Sequence, residues 1–281
     1  MNIKFLVQDV SRLNYAIEDD FNNLNELGFD IIPFGVIPFA FDMTGVENLN
    51  TEDIYIVRGG TKIISMIEHG TISNISPELL NHLKSGIHHN DNRFDQAFYS
   101  KLGLPLLNEN PVILNIRDNF NLSFDVDKFV KPSSDMKAFN AGIMQAGTRL
   151  KDYIESGLYR SEYDRETILV HDKIRIHSEF RFICIKDKVI AGSRYRQNNR
   201  LVVNDQIPVE VLNVADEYVK LYQPDDIYTM DLCETDEGIK IVEYNCWNGA
   251  GLYAMDIKKV FKAVYEYYEE KFNPKMKKKA R

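Results

Sequence analysis

Tyr228-Thr-Met-Asp231-Leu-Cys-Glu-Thr-Asp-Glu-Gly238-Ile-Lys-Ile-Val-Glu243-Tyr-Asn245-Cys-Trp-Asn248-Gly249 decides how this chain is read, because it is a hairpin that ends in oxygen donors instead of hydrophobes. Two apolar runs, predicted as strands over 228–233 and 239–243, flank Thr235-Asp-Glu-Gly238, whose residues bend the backbone or tolerate unusual angles. A short loop there brings Asp231 level with Glu243. Glu243 and Asn245 lie two apart on a strand, so both side chains point to one face. Asp231, Glu243 and Asn245 are therefore the candidate metal ligands. Two carboxylates and an amide oxygen suit a hard cation that keeps part of its water shell and takes other ligands from phosphate, as magnesium does. The plainer reading is a surface hairpin whose acids face water. Against it, Glu243 closes a strand that otherwise reads as buried, where a charge needs a partner.

Working outward, Asp231 followed by Glu243-Tyr-Asn245 at a strand end resembles the metal-binding signature of the ATP-grasp ligases. Further segments match upstream, in the family's order: Phe129-Val-Lys131-Pro-Ser-Ser-Asp-Met-Lys137-Ala-Phe139, then Thr167-Ile-Leu-Val170, then Glu179-Phe-Arg181-Phe182 and Ile190-Ala-Gly-Ser-Arg194-Tyr-Arg196. The set is similar to the branch named for its two arginines and a lysine. The resemblance implies an α+β, ATP-grasp fold, two α+β lobes gripping ATP, preceded by a small α/β lobe. Residues 1–90 are expected to form that first lobe, 91–272 the nucleotide-binding and catalytic region, and 273–281 a basic tail.

The resemblance also assigns roles. Lys131 matches the lysine that reaches the α- and β-phosphates, while Lys137 is either a second phosphate contact or a solvated loop lysine. Ile168, Leu169 and Val170 resemble the segment between the lobes whose backbone meets adenine; apolar packing explains them equally well. Glu179 and Arg181, two apart, share one strand face and leave Phe180 and Phe182 the other, either as a phosphate site or as a simple ion pair. Arg194 and Arg196 are also two apart. Arg194 is expected beside the transferring phosphoryl group and Arg196 toward substrate, where forked donors suit phosphate or carboxylate. The implied activity is an ATP- and magnesium-dependent carboxylate-amine ligase, forming ADP through an acyl phosphate, with manganese a possible substitute and small-molecule or peptide carboxylates and amines as substrates. One departure stands out, because Pro132–Ala141 carries no glycine where many relatives have a glycine-rich flap. That keeps open a nucleotide-binding module without turnover.

Bulk properties bound these readings. With 281 residues, 44% hydrophobic and 27% charged, the chain is long enough for one large domain or several small lobes and resembles ordinary folded proteins. The formal charge is −8, although Lys271–Arg281 holds six basic groups and no acid, so the body is markedly acidic. An acidic body argues against a broad nucleic-acid face and leaves the basic end as a solvated tail or, in a third reading, the anchor of a nucleic-acid-associated enzyme. Cys184, Cys233 and Cys246 are odd in number and widely spaced, with no paired motif. Cys246 reads as a packing residue. The first residues break their apolar run early and show no cleavage pattern, and no apolar stretch reaches membrane-spanning length, so a cytoplasmic setting without a membrane is expected.

Element by element, Ile3–Val7, Phe29–Ile37 and Ile54–Arg58 read as strands around a helix from Tyr15 to Leu27, a parallel unit. Gly59-Gly60 reads as a connection into a helix over 62–68, and His88-His89-Asn90-Asp91-Asn92 as a surface loop. Helices are expected over 94–102, 146–155, 209–221 and 254–272, and further strands over 129–132, 167–170, 179–185 and 189–194. Trp247–Tyr253 is either a substrate-facing turn or merely the entry to the last helix.

Overall fold

Among the residues described by the computed structural model (2–9, 15–37, 40–135, 137–158 and 165–273), the strands gather into three sheets. The first comprises β1 (Ile3–Gln8), β2 (Ile31–Ile37), β3 (Asp42–Thr44) and β4 (Ile54–Arg58), with helices α1 (Tyr15–Glu26), α2 (Thr61–Glu68) and α3 (Pro77–Lys84). β1 runs parallel to both β2 and β4, as the strand-helix-strand order predicts, and β3 adds an antiparallel edge. Both faces are covered, as parallel sheets require. Phe5, Val7 and Ile56 pack on one side, and Leu6, Tyr55 and Val57 pack with Ile63, Ile67 and Leu83 of α2 and α3 on the other.

The stretch read as one helix over 94–102 is instead α4 (Asp91–Phe94), α5 (Gln96–Tyr99) and a 3-10 turn. Asp95 breaks it: its backbone is extended, and its carboxylate accepts from the N–H of Ala97 at 2.7 Å to start α5. The second sheet has order β5-β8-β6-β7, from β5 (Val112–Asn115), β6 (Lys128–Pro132), β7 (Gly142–Met144) and β8 (Thr167–His171), all antiparallel. Its core face, with Val130, Met144, Ile168 and Val170, packs on Leu150 and Ile154 of α6 (Leu150–Ser156). That helix begins later than its pattern predicts because Gly147 sits at φ 76.

The third sheet positions the site. It runs β11-β10-β9-β12-β13, from β9 (Ser178–Ile185), β10 (Lys188–Gln197), β11 (Arg200–Asn204), β12 (Ile227–Thr235) and β13 (Gly238–Cys246), with helices α7 (Val209–Tyr218) and α8 (Ile257–Phe272). One face is largely apolar: Phe180, Phe182, Tyr228, Met230, Leu232 and Tyr244 pack with Val211 and Ala215 of α7. The other face changes character along its strands. Ile183 and Ile227 lie with Val260, Phe261 and Val264 of α8, whereas Glu179, Arg181 and Asp231, further along the same strands, remain polar. α8 starts where Asp256 caps it, its carboxylate accepting from the N–H of Lys259 at 2.9 Å. The basic tail from Pro274 onward lies outside the described residues. Among the described residues no helix is long and apolar enough to cross a membrane.

Candidate active site

The quoted hairpin forms as expected, closed by Gly238 at φ 107, with Asp231 opposite Glu243 and Thr229 opposite Asn245. A bulge at Val242 makes this workable. The ladder goes from Asp231–Glu243 directly to Leu232–Ile241, so Ile241 and Tyr244 both reach the apolar core while Glu243 and Asn245 stay on the polar face. On the neighbouring strand Arg181 is register partner to Asp231 and grips it with two hydrogen bonds, Nε to Oδ1 at 2.8 Å and Nη2 to Oδ2 at 2.7 Å. Both side chains are buried. The guanidinium carbon lies 5.7 and 5.4 Å from the ring centres of Tyr195 and Tyr253, which stack on each other at 5.0 Å. Buried Glu179 accepts from the Tyr195 hydroxyl at 2.7 Å and from Arg196 Nη1 at 2.9 Å.

Across from this face, β6 delivers Lys131, whose Nζ meets Glu243 Oε2 at 2.5 Å. Lys137 Nζ stands 3.8 Å from Glu243 Oε1, and Asn245 Nδ2 donates to that oxygen at 3.2 Å. Burial pushes the Glu243 carboxyl up, but the ammonium groups of Lys131 and Lys137 outweigh it and hold the group well below the usual carboxylate range. For Arg181 burial works against the charge, and the adjoining Asp231 carboxylate more than restores it. Burial pushes the Cys246 thiol up, which fits a packing residue and not a nucleophile.

Three expectations are corrected. Arg194 does not join Arg196. A second bulge, at Tyr195, pairs Arg194 with Phe180 and Arg196 with Glu179, so Arg194 turns to the apolar face, its guanidinium carbon 5.4 Å from the Phe180 ring centre. Ile168, Leu169 and Val170 are not the segment that links the two sheets, although Val170 lines a large cleft beside them. β8 is central in its sheet, with ladder partners on both sides of these three residues, and Ile168 and Val170 belong to the core. The chain crosses between sheets only after β8, over 172–177. His88 and His89 are not on the surface: both are buried, His88 Nδ1 2.7 Å from Asp225 and His89 Nε2 3.0 Å from Asp135.

Residues that spacing did not single out also gather here. Asp135 is fixed by His89 and, at 3.2 Å, by the backbone N–H of Cys246. His171 stacks on Phe129 at 4.9 Å, and its Nε2 is buried with no hydrogen-bond partner. Burial and the Lys131 charge lower its pKa to about 4, so it is neutral at physiological pH. It lines, with Asp172, Ile174 and Thr235, a cleft of about 500 Å³. A smaller cavity of about 60 Å³ is walled by Thr61, Asp135, Lys137, Arg181, Asn245 and Ala250, among others. The turn after β13 joins this end to the first sheet: buried Asn248 donates to the carbonyls of Val57 at 2.6 Å and Gly86 at 2.9 Å, and Arg58 donates to the carbonyls of Trp247 and Ala250 while pairing with Asp20.

As a donor set, Asp231, Glu243 and Asn245 are all hard oxygens and fit a magnesium-type ion. Both carboxylates are paired with protein cations, and no group of three His, Cys, Asp or Glu converges among the described residues. For Glu243 the fit requires a partner that draws Lys131 and Lys137 away, as a polyphosphate would, whereas each Asp231 oxygen keeps a second lone pair for a metal while Arg181 stays bound.

A polar sheet face opposed by a second, smaller antiparallel sheet, with a lysine from one and acids and an arginine from the other, defines the ATP-grasp class. A family model described as an ATP-grasp domain, family 2 of the clade named for its two arginines and a lysine, matches residues 118–263, just over half of the chain, and the chain belongs to that family. In fold it is similar to D-alanine–D-alanine ligase from Bacillus anthracis at 16% identity and a TM-score of 0.54, over 94% of this chain and 92% of that one. The ATP complex of that ligase aligns at 16% identity and a TM-score of 0.53, over 89% and 86%. D-cycloserine synthetase DcsG aligns at 11% identity and a TM-score of 0.54, over 95% and 99%. No curated protein matches the chain.

Proposed function

We propose that this protein is an ATP-dependent ligase that joins a carboxylate to an amine through an acyl phosphate, releasing ADP and phosphate. The observation that carries the reading is the convergence of Lys131 with Arg181, Asp231, Glu243 and Asn245 between two sheets in a chain of the ATP-grasp family. Magnesium held by Asp231, Glu243 and Asn245 would neutralise charge on the β- and γ-phosphates. Lys131 and Lys137 turn from Glu243 to the phosphates, and Arg181, still anchored by Asp231, presents its remaining N–H groups to the group in transfer. Glu179, held by Tyr195 and Arg196, fixes the outer edge of the site. The nucleotide base lies in the larger cleft, where the buried Nε2 of His171 gains a partner and the unladdered backbone after β8 is open to it.

The chemistry proceeds in two displacements. A carboxylate oxygen bonds to the γ-phosphorus as the bond to the ADP oxygen breaks. The amine nitrogen then bonds to the acyl carbon, and phosphate leaves with the electrons of the C–O bond. In this reading residues 1–90 form the lobe that covers the substrate end and 91–272 the part that holds ATP. The test is incubation with ATP, magnesium, pooled carboxylates and hydroxylamine, which traps acyl phosphates as hydroxamates. ADP, phosphate and a hydroxamate are expected. AMP and pyrophosphate would overturn the mechanism, and ATP binding without carboxylate-dependent ADP release would mark a nucleotide-binding module instead.

A further inference from the structure

We infer that the small cavity beside Arg181 takes the carboxylate substrate, and that this substrate is a small α-amino acid whose ammonium group docks on Asp135. The inference rests on the ligase reading and deepens it. Size gives the first argument. A cavity of about 60 Å³ holds roughly four to six water-sized groups, about the number of heavy atoms in glycine or alanine. Ile64, Gly249 and Ala250 supply the apolar part of the wall, which leaves little space for a long side chain.

Charge gives the second. The walls carry both signs, Asp135 against Arg181 and Lys137, which matches a zwitterion better than a simple acid. Asp135 is a built recognition group, its side chain only 6% exposed. One oxygen is held by His89 Nε2 at 3.0 Å and the other by the Cys246 N–H at 3.2 Å, so its direction is fixed while each oxygen keeps acceptor capacity for an ammonium. His89 is in turn buried and stacked on Phe94 at 5.5 Å.

Geometry along β13 gives the third. The Cys246 N–H that steadies Asp135 follows directly on Asn245 and the Glu243 strand end, so the ammonium site and the proposed phosphate site share one rigid element. At the other wall, Asp231 occupies Nε and Nη2 of Arg181, while Nη1 has no hydrogen-bond partner among the described residues. A bound amino acid therefore places its carboxylate toward Arg181 and Asn245, at the end where phosphate arrives, and its nitrogen away from it.

Hydroxamate formation tests this without knowledge of the amine acceptor. The amino acid's carboxylate oxygen takes the γ-phosphoryl group, ADP leaves, the hydroxylamine nitrogen bonds to the acyl carbon, phosphate departs and the nitrogen's proton passes to solvent. Glycine and both enantiomers of alanine and serine are compared with acetate, propionate and 3-hydroxypropionate. At least one amino acid should exceed its desamino analogue by about 100-fold or more in kcat/KM, because the analogue leaves Asp135 buried and unanswered. Asp135→Asn, which retains the shape and an acceptor for Cys246, should lower that kcat/KM roughly 10- to 100-fold while leaving binding of the ATP analogue AMPPNP with magnesium unchanged. Ala250→Val, which fills the cavity and touches no charge, should do the same and covers the case in which the Asp135 variant does not fold. Equal use of alanine and propionate, or an Asp135→Asn enzyme as good as the parent, overturns the inference. Hydroxamates formed only from larger carboxylates overturn it and leave the ligase reading standing; none from any carboxylate overturns both.

Discussion

Lys131 and Glu243, 112 residues apart and on different sheets, close an ion pair of 2.5 Å at the centre of the site. The lysine proposed for phosphate and the carboxylate proposed for metal thus neutralise each other in the nucleotide-free protein. A divalent ion alone must displace an ammonium from Glu243, and a polyphosphate alone must displace a carboxylate from Lys131, but the two together exchange both pairs at once. Manganese should bind weakly without nucleotide and much more tightly with AMPPNP, read by electron paramagnetic resonance of the free ion. Lys131→Met should raise manganese uptake in the absence of nucleotide and weaken AMPPNP at least tenfold by calorimetry. Equal manganese affinity with and without AMPPNP in the parent protein would contradict the exchange.

Arg181 and Asp231 behave differently, because both are buried. Asp231→Ala strands a guanidinium in the interior, and its cost should be about 3–5 kcal/mol in urea unfolding. Glu243→Ala should cost less, since its side chain is 19% exposed against 1% for Asp231. Replacing both members of the buried pair, Arg181→Met with Asp231→Leu, should recover most of the lost stability and no ADP release. A double variant as unstable as Asp231→Ala would show that packing, and not the lone charge, sets the cost.

How much of this was legible in the residues follows from what each pattern depends on. The parallel β1, β2 and β4, the hairpin and the acid-amide triplet rest on local periodicity and turn chemistry, which the chain carries by itself. Arg194 misled because a period of two assumes an unbroken strand, and the bulge at Tyr195 turns one of the two arginines over. The bulge at Val242 was equally invisible but harmless, since it lies before Glu243 and Asn245 and not between them. His88 and His89 read as polar loop because their partners, Asp225, Tyr268 and Asp135, are far along the chain. The same distance hid Asp135, which has meaning only beside Cys246. Short β5, β7 and β11 have too few residues to show a period.

His171 and His89 predict opposite pH responses. His171 has its pKa lowered to about 4, so between about 6.5 and 4 the unfolded chain binds more protons and stability is lost as pH falls through that window, by roughly 2 kcal/mol after allowance for its partial exposure. Burial works to lower the His89 pKa, but Asp135 outweighs it and raises the group above 6.5, so its contribution is full below 6.5 and fades as pH rises through the folded value. His171→Phe should flatten the acid limb of a stability profile measured by urea unfolding, and His89→Asn the neutral limb. Unchanged slopes in either variant would remove the histidine concerned from the account.

The two arginines of β10 offer the sharpest contrast. Arg196 stands on the polar face, with its guanidinium half exposed beside Glu179, whereas Arg194 covers Phe180 on the face packed against α7. Arg196→Ala should cut carboxylate-dependent ADP release at least tenfold and lower stability by about 1–3 kcal/mol, since it leaves the buried Glu179 carboxylate with the Tyr195 hydroxyl alone. Arg194→Ala should leave ADP release within about twofold and lower stability by about 1 kcal/mol, through the lost packing of its stem and its contact with the ring. Rates and urea midpoints for the two variants check both claims in one experiment. An inactive but stable Arg194→Ala protein would return that residue to the site and would mean that the bulge at Tyr195 does not persist when ATP is bound.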